Sequence, residues 1–455
     1  MRGPESTFLE CLFAAFNQSG ITYAVMRNYA HLPFSTGGSD LDILVSPADS
    51  LRVKKIILDA ISKAHGISLG FYEKPGFLQI HSLGRVTLNS TQWWGLRLDI
   101  FQGLLFKGEP LVAEWTALPI KTHNGIQVLA DGFSGVLGVL KELLHNNTVP
   151  SRYLESARRA AQVEWQQIET LLAPIGPSAL NKFRSILLAG ESTTPLRPAC
   201  LNVRRAFFWH TFLWQPFQFF RHRMLYEWSK VRRYLKPCGI VVAILGVDGA
   251  GKSTVIEAIL PTLNAATHNA VYVQHLRPGL LPPLARLKGD KTVAAGPVLD
   301  PHGQAPSNIL GSLLRLSYLM LDYFFGYWVL TRPKIAKLPA IVLFDRYVYD
   351  MAIDPRRFRI RLPSTLINWF VKWMPKPDLV ICLQGNAATV NARKKEVSIE
   401  ETKRQTEALR IFASQESRAF LVSTDTTIED TRDKILSTIF HFLQSKPIGW
   451  SNDKQ

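Results

Sequence analysis

The chain is poor in cysteine and in long apolar runs. Its four cysteines, among 455 residues, form no CxxC or Cys/His pattern, which excludes a disulfide-stapled scaffold and a zinc-ribbon class and favours reduced thiols in a cytoplasmic protein. No uninterrupted apolar span reaches bilayer length; the nearest, residues 309–330, contains Arg315 and Asp322 and predicts a mostly buried helix. Glu10 and the lack of a small-residue cleavage site argue against a secretory signal.

Acidic residues are also scarce. The chain has 36 of them against 53 lysines and arginines, which gives a net charge of +17 and a pI near 9.7. Such a charge favours anionic partners, namely nucleotides, nucleic acid, phosphorylated glycans or an acidic membrane surface, and composition does not choose among them. The length predicts two or three domains. There is no internal repeat and no low-complexity tract.

The order of predicted elements divides the chain into five parts. Residues 1–130 mix strand-like and helical runs, an α+β pattern, and residues 131–195 are helical. Residues 196–237 form an aromatic and basic connector, and residues 446–455 a flexible tail. Between them, residues 238–445 alternate five strands with helices, which predicts an α/β domain with a five-stranded parallel sheet flanked by helices. The five strands are 240–245, 271–275, 341–344, 379–383 and 420–423.

The connector combines aromatic and basic side chains over residues 204–233, with Glu227 as the single acid. Two interpretations stay open. Aromatic rings and cations together are typical of a helix lying on an acidic membrane surface. The commoner outcome for such a stripe is a connector whose aromatic rings fill the seam between domains.

The strongest motif lies at residues 246–254, which read Gly-Val-Asp-Gly-Ala-Gly-Lys-Ser-Thr between an apolar strand and a helical run. Strand, glycine-rich loop and helix together predict a P-loop, in which backbone N–H groups surround the phosphates of ATP. Lys252 would reach the β/γ oxygens and Ser253 would bind Mg²⁺. The predicted nucleotide-binding residues are Gly246, Gly249, Ala250, Gly251, Lys252, Ser253 and Thr254.

A second motif, Asp345-Arg346, follows the third strand of the same sheet. Ligands of parallel sheets collect at the carboxyl ends of the strands, and this pair lies at that edge. There an acid can hold Mg²⁺ through water, and a guanidinium can bind a phosphate with two hydrogen bonds. The alternative is a strand-end salt bridge.

Taken together, residues 238–445 resemble the thymidylate kinase branch of the nucleoside monophosphate kinases. The matches are the loop 246–254, the run Asp345-Arg346-Tyr347, the strand 377–383, and Arg393 with a lid-like Arg-Lys-Lys-Glu. The resemblance implies that Asp248 faces the acceptor and that Asp345 organises the metal. It also implies that Arg277, Arg346 and Tyr347 contact the substrate, and that Arg393, with Lys394 or Lys395, reaches over the transferring phosphoryl group.

The departures from that family concern the acceptor. Residues 275–279 read His-Leu-Arg-Pro-Gly where the family has an Arg-Glu-Pro-Gly segment. The family's thymine-reading helix is replaced by residues 348–355, followed by four arginines. Residues 280–307 form a long loop expected to cover the acceptor pocket, with His302 as a weaker candidate contact. The arginines at 356, 357, 359 and 361 suit an acceptor that carries phosphate or carboxylate, or a membrane surface, and are equally compatible with a solvated helix.

Residues 37–45 read Gly-Gly-Ser-Asp-Leu-Asp-Ile-Leu-Val. Strand alternation places Asp40 and Asp42 on one side, about 7 Å apart, where both can share a divalent cation. With Asp99 on another strand-like run, residues 20–105 resemble the nucleotidyltransferase superfamily, which implies that the three acids hold two metals. The gap between Gly-Ser and the acid pair is shorter than in that family. A solvated, Asp-rich strand is the alternative.

These observations predict an ATP- and Mg²⁺-dependent phosphotransferase with a non-standard acceptor, such as a sugar, sugar phosphate or glycolipid in cell-surface polysaccharide synthesis. One alternative is an authentic dTMP kinase, and another is a nucleotide-sensing, membrane-associated scaffold without turnover. A polynucleotide kinase ranks lowest, because no nucleic-acid-binding motif is present. We expect a cytoplasmic protein, with a peripheral contact on the inner face of an acidic membrane and a homodimer both left open.

Overall fold

The computed structural model describes residues 2–88, 90–113, 117–189, 196–282, 307–393 and 398–445. Contacts within the chain divide it into two compact units, Met1–Arg232 and Arg233–Gln455. The finer division predicted from the sequence stays a prediction, and the predicted tail 446–455 lies outside the described residues.

The N-terminal unit contains a seven-stranded mixed sheet and a two-stranded ribbon. The strands are β1 Tyr23–Val25, β2 Leu41–Val45, β3 Gly66–Lys74, β4 Phe77–Arg85, β5 Trp93–Gln102, β6 Leu105–Phe106, β7 Glu109–Pro110, β8 Ile120–His123 and β9 Ile126–Leu129. The large sheet has the order β3-β4-β5-β2-β1-β9-β8, and β6 pairs with β7. Strands β2 and β5 are parallel, with Asp42 directly beside Asp99.

Both faces of this sheet are covered by helices. The helices up to residue 235 are α1 Ser6–Gln18, α2 Ser50–Lys63, α3 Asp131–Asn146, α4 Ser151–Val163, α5 Trp165–Leu171, α6 Pro177–Leu188, α7 Leu196–Trp214 and α8 Pro216–Leu235, with 3₁₀ turns at Pro47–Asp49 and Ala173–Ile175. Successive side chains of a strand point to opposite faces. Accordingly Tyr23 and Ile43 join the core under α1 and α2, whereas Ala24 and Leu44 join the core formed by α3 to α7.

The C-terminal unit confirms the predicted α/β fold. Its strands are β10 Ile240–Gly246, β11 Val271–His275, β12 Ile341–Asp345, β13 Leu379–Gln384 and β14 Ala419–Ser423. All neighbours are parallel, in the order β11-β12-β10-β13-β14. The three central strands β10, β12 and β13 are short, buried apolar runs, as expected for a sheet covered on both faces, whereas the edge strands β11 and β14 are partly exposed.

Helices flank this sheet. They are α9 Lys252–Thr267, α10 Ile309–Gly326, α11 Arg332–Lys337, α12 Asp350–Ile353, α13 Ser364–Lys372, α14 Ala387–Arg393, α15 Ile399–Gln415 and α16 Ile428–Ser445, with a 3₁₀ turn at Pro355–Phe358. Val241, Ala243 and Leu245 of β10 share a core with α10 and α12. The carboxyl end of β10 leads directly through the P-loop into α9.

The prediction of a mostly buried helix at 309–330 is wrong. Helix α10 continues through a π-helical stretch, Tyr327–Thr331, into α11, and only 39% of the most apolar window of Ile309–Lys337 is buried. By length and composition this is the one helix in the described ranges that is apolar enough to cross a membrane. Its buried side nevertheless carries Asp322, which accepts hydrogen bonds from the backbone N–H groups of Gly279 and Leu281.

Candidate phosphoryl-transfer site

The glycine-rich loop joins the central strand to α9. Gly249 and Gly251 have φ angles of 85° and 84°, a left-handed conformation that glycine adopts without steric cost. A Cβ at Gly246 would lie 3.2 Å from the Cβ of Leu383. Ser253 and Thr254 are exposed in the first turn of α9. The loop therefore leaves backbone N–H groups and two hydroxyls accessible at the positive end of a helix dipole.

Lys252 is buried beneath the loop. Its Nζ donates hydrogen bonds to the carbonyl oxygens of Gly246 and Val247, at 2.8 and 3.0 Å, and lies 3.8 Å from Asp248. Burial and the nearby charge of Arg346 lower the pKa of Lys252 to about 8, although Asp248 acts in the opposite direction. A buried ammonium whose pKa is this low gains most from a phosphate ligand, because the ligand supplies the negative charge that its surroundings lack.

Asp345 ends β12 beside His275 of β11. Its Oδ2 lies 3.2 Å from His275 Nδ1, whereas its Oδ1 is buried and has no hydrogen-bond partner in the described structure. Burial raises the pKa of Asp345. The hydrogen bond from His275 and the charge of Lys252 lower this pKa by more than burial raises it, so the net shift is downward. Asp345 thus has an ionised carboxylate with one unpartnered oxygen, on the strand next to the one that leads into the P-loop. This arrangement fits the water-mediated Mg²⁺ ligand expected at this position.

Asp248, in the P-loop, is bound by two arginines. Arg346 donates to one carboxylate oxygen and Arg357 to the other. Burial raises the pKa of Asp248, but Arg346, Lys252 and Arg357 outweigh that effect and bring it to about 2. Asp248 is therefore ionised throughout the neutral range, and the two guanidiniums are held at the loop.

Arg346 is positioned by a strained backbone and a buried acid. Its φ angle is 76°, which is uncommon for a residue with a side chain and tends to mark functional sites. Its Nη1 donates to Asp350 Oδ2 at 3.1 Å. Burial raises the pKa of Asp350, an effect that the charges of Arg346 and Lys252 oppose. The guanidinium is thus held between Asp248 and Asp350.

Two of the predicted substrate contacts are already engaged elsewhere. Tyr347 is only 1% exposed, and its hydroxyl donates to the carbonyl of Pro375 at 2.7 Å. This packing does not fit the predicted substrate contact, because the ring lies among core aromatics. Arg277 pairs with the buried Asp322 at 3.1 Å, so its guanidinium is held in the wall of the unit.

Most residues of the predicted lid and acceptor loop lie outside the described part of the chain. Lys394 and Lys395 lie outside the described residues, as does His302 with most of the predicted acceptor loop. The backbone of Arg393 ends α14.

The sequence analysis missed the structural roles of two residues, Asp322 and Asp350, and the pairing of Arg357 with Asp248. Asp350 carried a usable signal, because an acid in the short segment that follows Arg346 is a candidate ion-pair partner for its guanidinium. Asp322 carried another, because an acid inside an apolar helix needs a buried partner. The pairing of Arg357 with Asp248 spans 109 positions, and local patterns do not indicate it.

The predicted acidic cluster of the N-terminal unit does form. Oxygens of Asp40, Asp42 and Asp99 all lie within 4.8 Å of one another. Each carboxylate also has a guanidinium partner. Arg27 binds Asp42 and lies 3.3 Å from Asp40, and Arg97 binds Asp99 at 2.9 and 2.6 Å.

The pKa values of these acids are driven apart by their surroundings. Burial raises the pKa of Asp42, against the charges of Lys141 and Arg27. Burial also raises that of Asp99, but hydrogen bonds and charge from Arg97 reverse the shift, so its pKa is lowered. Asp42 Oδ1 is buried without a hydrogen-bond partner among the described residues, which leaves one oxygen of the cluster available to a cation.

Comparisons with known proteins add little. No family model matches the sequence, and no curated protein matches it. Among solved structures, a thymidylate kinase from Ehrlichia chaffeensis matches 45% of this chain and the whole of the kinase, at 14% identity and a TM-score of 0.33. A TM-score of this size supports no functional argument. Function has to be inferred from the P-loop sheet and its side chains.

Proposed function

We propose that the C-terminal unit is an ATP- and Mg²⁺-dependent phosphotransferase. The observation that carries this proposal is the convergence of three features at the carboxyl ends of neighbouring parallel strands. They are the P-loop with buried Lys252, the unpartnered oxygen of Asp345, and the arginine pair on Asp248. Phosphoryl transfer needs positioning and positive charge more than covalent chemistry, and this set of residues supplies both.

Each residue has a role that its geometry supports. Lys252 exchanges its two carbonyl partners for the β/γ oxygens of ATP. Asp345 and Ser253 would hold Mg²⁺, which when bound neutralises charge on the β and γ oxygens. Asp248, with a pKa of about 2, is too weak a base to remove a proton from a hydroxyl early in the reaction. It orients the acceptor, while Arg346 and Arg357 bind the acceptor's anionic group.

The acceptor we propose is a small or glycan-type molecule, namely a sugar, sugar phosphate or glycolipid, used in cell-surface polysaccharide assembly. Support comes from the positive charge beyond Arg357. Burial and the charge of Arg359 lower the pKa of Arg315 on α10, so two guanidiniums lie close enough to repel each other there. Such a region favours an anionic acceptor. The pairing with an acidic cluster in the N-terminal unit suggests successive activation steps.

A transfer assay tests this proposal. Purified full-length protein with Mg²⁺ and γ-labelled ATP is offered sugars, sugar phosphates, glycolipid extracts and dTMP in parallel. We expect label in a glycan-type fraction and little or none in dTMP, because the thymine-reading segment is replaced. Label in dTMP alone would support the dTMP kinase alternative. ATP binding without transfer to any acceptor would support the scaffold alternative, and the proposed activity would then be abandoned.

The lowered pKa of Lys252 predicts how ATP binding depends on pH. Above about pH 8 the free protein loses the Lys252 proton and must regain it to bind phosphate, so affinity falls as pH rises. Between pH 7 and pH 9 the Kd for ATP should rise about tenfold. Lys252→Arg is the control, since a guanidinium stays charged at pH 9. Parallel wild-type and Lys252→Arg profiles would contradict this assignment.

We propose divalent-cation binding, and with it nucleotidyl transfer, as a second candidate function, located at Asp40, Asp42 and Asp99. The convergence of three carboxylates and the unpartnered Asp42 oxygen support it. In such a site the metal activates an attacking hydroxyl. Arg27 is the competitor, because it already occupies the space between Asp40 and Asp42.

Removing that competitor should strengthen metal binding. A hydrogen bond to a charged group is worth about 1.5–3 kcal/mol, so Arg27→Ala should bind Mn²⁺ about 10- to 100-fold more tightly than wild type. Calorimetric titration without nucleotide measures this. Arg52→Ala, which removes an exposed arginine paired with Asp49, is the matched control, and Asp42→Asn should abolish the gain. Unchanged Mn²⁺ affinity in Arg27→Ala would remove the basis for a nucleotidyltransferase site.

A further inference from the structure

Helices α7 and α8 meet at Gln215, and exposed aromatic rings cluster around this junction, the aromatic tip. Trp214 and Phe217 flank the junction and are 77% and 80% exposed. Trp209, Phe220 and Trp228 each expose more than half of their surface as well. These five rings lie on the surface of the N-terminal unit.

A cavity of about 250 Å³ is lined by residues of α7, α8 and the ribbon β6–β7. Phe207 and Phe219 form its buried apolar wall, and Phe208 packs edge-on against Phe219 with ring centroids 5.2 Å apart. The wall therefore joins the two helices and continues toward the aromatic tip. A cavity of this kind accepts an apolar group.

The same cavity is lined by three cations, Lys107, Arg204 and Arg223. None of the three forms a salt bridge with an acid among the described residues. Burial and then the charges of Arg204 and Arg223 lower the pKa of Lys107, which shows that the three cations face a common space. Mutually repelling cations around a cavity are stabilised by an anion.

One acid, Glu109, also lines the cavity and is buried. One of its oxygens lies 3.4 Å from His222 Nδ1, and the other has no hydrogen-bond partner in the part of the chain that is described. Three cations and one carboxylate leave a formal charge of +2. That charge complements a phosphate monoester, which carries about −1.5 to −2 at neutral pH.

We propose that this cavity binds the phosphate group of a membrane lipid while the aromatic tip lies in the headgroup layer of the bilayer. Tryptophan and phenylalanine at an exposed tip are typical of interfacial segments, and arginines beside them bind anionic lipid. The surface is strongly biased in charge, since Glu227 is the one acid between residues 204 and 233 and is paired with Lys230. This inference does not depend on kinase activity, so the two can fail separately.

Vesicle sedimentation tests the proposal with the full-length chain. Wild type should bind vesicles containing phosphatidic acid at least about tenfold more tightly than vesicles of phosphatidylcholine alone. Arg204→Gln with Arg223→Gln should weaken that binding about thirtyfold, because each cation near an anionic surface contributes severalfold. Trp214→Ser with Phe217→Ser should weaken binding to a similar extent by removing the tip.

The control has the same change in net charge at a distance from the cavity. Arg52→Gln with Arg159→Gln removes two exposed arginines of the same unit and should change binding less than twofold. If the cavity variant, Arg204→Gln with Arg223→Gln, binds vesicles as tightly as this control does, the assignment of the cavity as the lipid site is wrong. Lys107→Gln provides a single substitution in case the double variant fails to fold.

Soluble phosphate separates the two sources of the same ligand chemistry. Inorganic phosphate at constant ionic strength should compete weakly, because it lacks the apolar chain that contacts Phe207 and Phe219. Saturable binding of inorganic phosphate, lost in the cavity variant and without vesicle binding by wild type, would overturn the lipid assignment and identify a soluble phosphate compound as the ligand.

Discussion

Replacing Lys252 by methionine is expected to reduce phosphoryl transfer about 10²- to 10³-fold without lowering thermal stability. The side chain keeps its length but loses the charge that stabilises the transferring phosphoryl group. In the free protein this ammonium is buried, and its pKa is lowered to about 8. Because its charged form is disfavoured by folding, the unfolding free energy rises as pH goes from about 8 toward the unfolded value near 10.5. At pH 7 a neutral side chain avoids this penalty, which offsets the loss of the hydrogen bonds to the carbonyl oxygens of Gly246 and Val247.

The two readouts are the transfer rate and the melting temperature of the same preparation. Lys434→Met, on an exposed position of α16, is the matched control and should retain both. Transfer within tenfold of wild type in Lys252→Met would mean that the loop does not bind the transferring group. A melting temperature that falls together with activity would mean that Lys252 is chiefly structural.

Replacing Asp350 by alanine is expected to have the opposite signature, a large loss of stability. Asp350 is buried and accepts a hydrogen bond from Arg346, which is itself buried. Removing one partner of a buried ion pair costs about 3–5 kcal/mol, which corresponds to a fall of about 10 °C in the melting temperature of a unit this size. Asp350→Asn keeps an oxygen acceptor for Arg346 and should cost less.

Calorimetric or optical melting of Asp350→Ala and Asp350→Asn measures the loss of stability. Asp430→Ala, at an exposed position of α16, is the control and should change stability by less than about 1 kcal/mol. The variants should also raise the KM for the acceptor, because Asp350 positions Arg346. Equal stability of wild type and Asp350→Ala would show that Asp248 alone suffices to hold the guanidinium.

The sequence was sufficient for the C-terminal sheet and for the P-loop. Short apolar runs such as 240–245 and 379–383 are buried on both faces, and glycines at positions such as Gly249 and Gly251 occupy conformations that few other residues adopt. These signals are local, so they can be recognised in the sequence without knowing which distant segments pack against them. The strand ends were correct to within a few residues, and Asp345 was placed at the edge of the sheet where it lies.

What the sequence did not reveal depends on contacts between distant segments. The hairpin β3–β4 was missed because glycine and polar residues at 66, 70 and 82 interrupt its alternation. Tyr347 was assigned to the substrate because its motif resembles one that binds ligands, whereas packing against Phe344 and Tyr349 buries it. Arg27 was overlooked, although it pairs with both Asp40 and Asp42.

The exposed faces could not be predicted for the same reason. Helical periodicity shows which residues share a face, but it does not show whether another element covers that face. The apolar composition of 309–330 indicated burial, yet Leu310, Leu314 and Phe325 are exposed. The aromatic connector presented the same ambiguity. Many of its aromatic rings, such as Trp214 and Phe217, are also exposed.

The most direct test of the central proposal is acceptor-dependent release of ADP from ATP by the full-length protein in Mg²⁺. We expect ADP to form at a rate that rises with an added sugar, sugar phosphate or glycolipid fraction, to disappear in Lys252→Met, and to persist in Lys434→Met. ADP release that no acceptor fraction increases, or that Lys252→Met retains, would contradict phosphoryl transfer at this site.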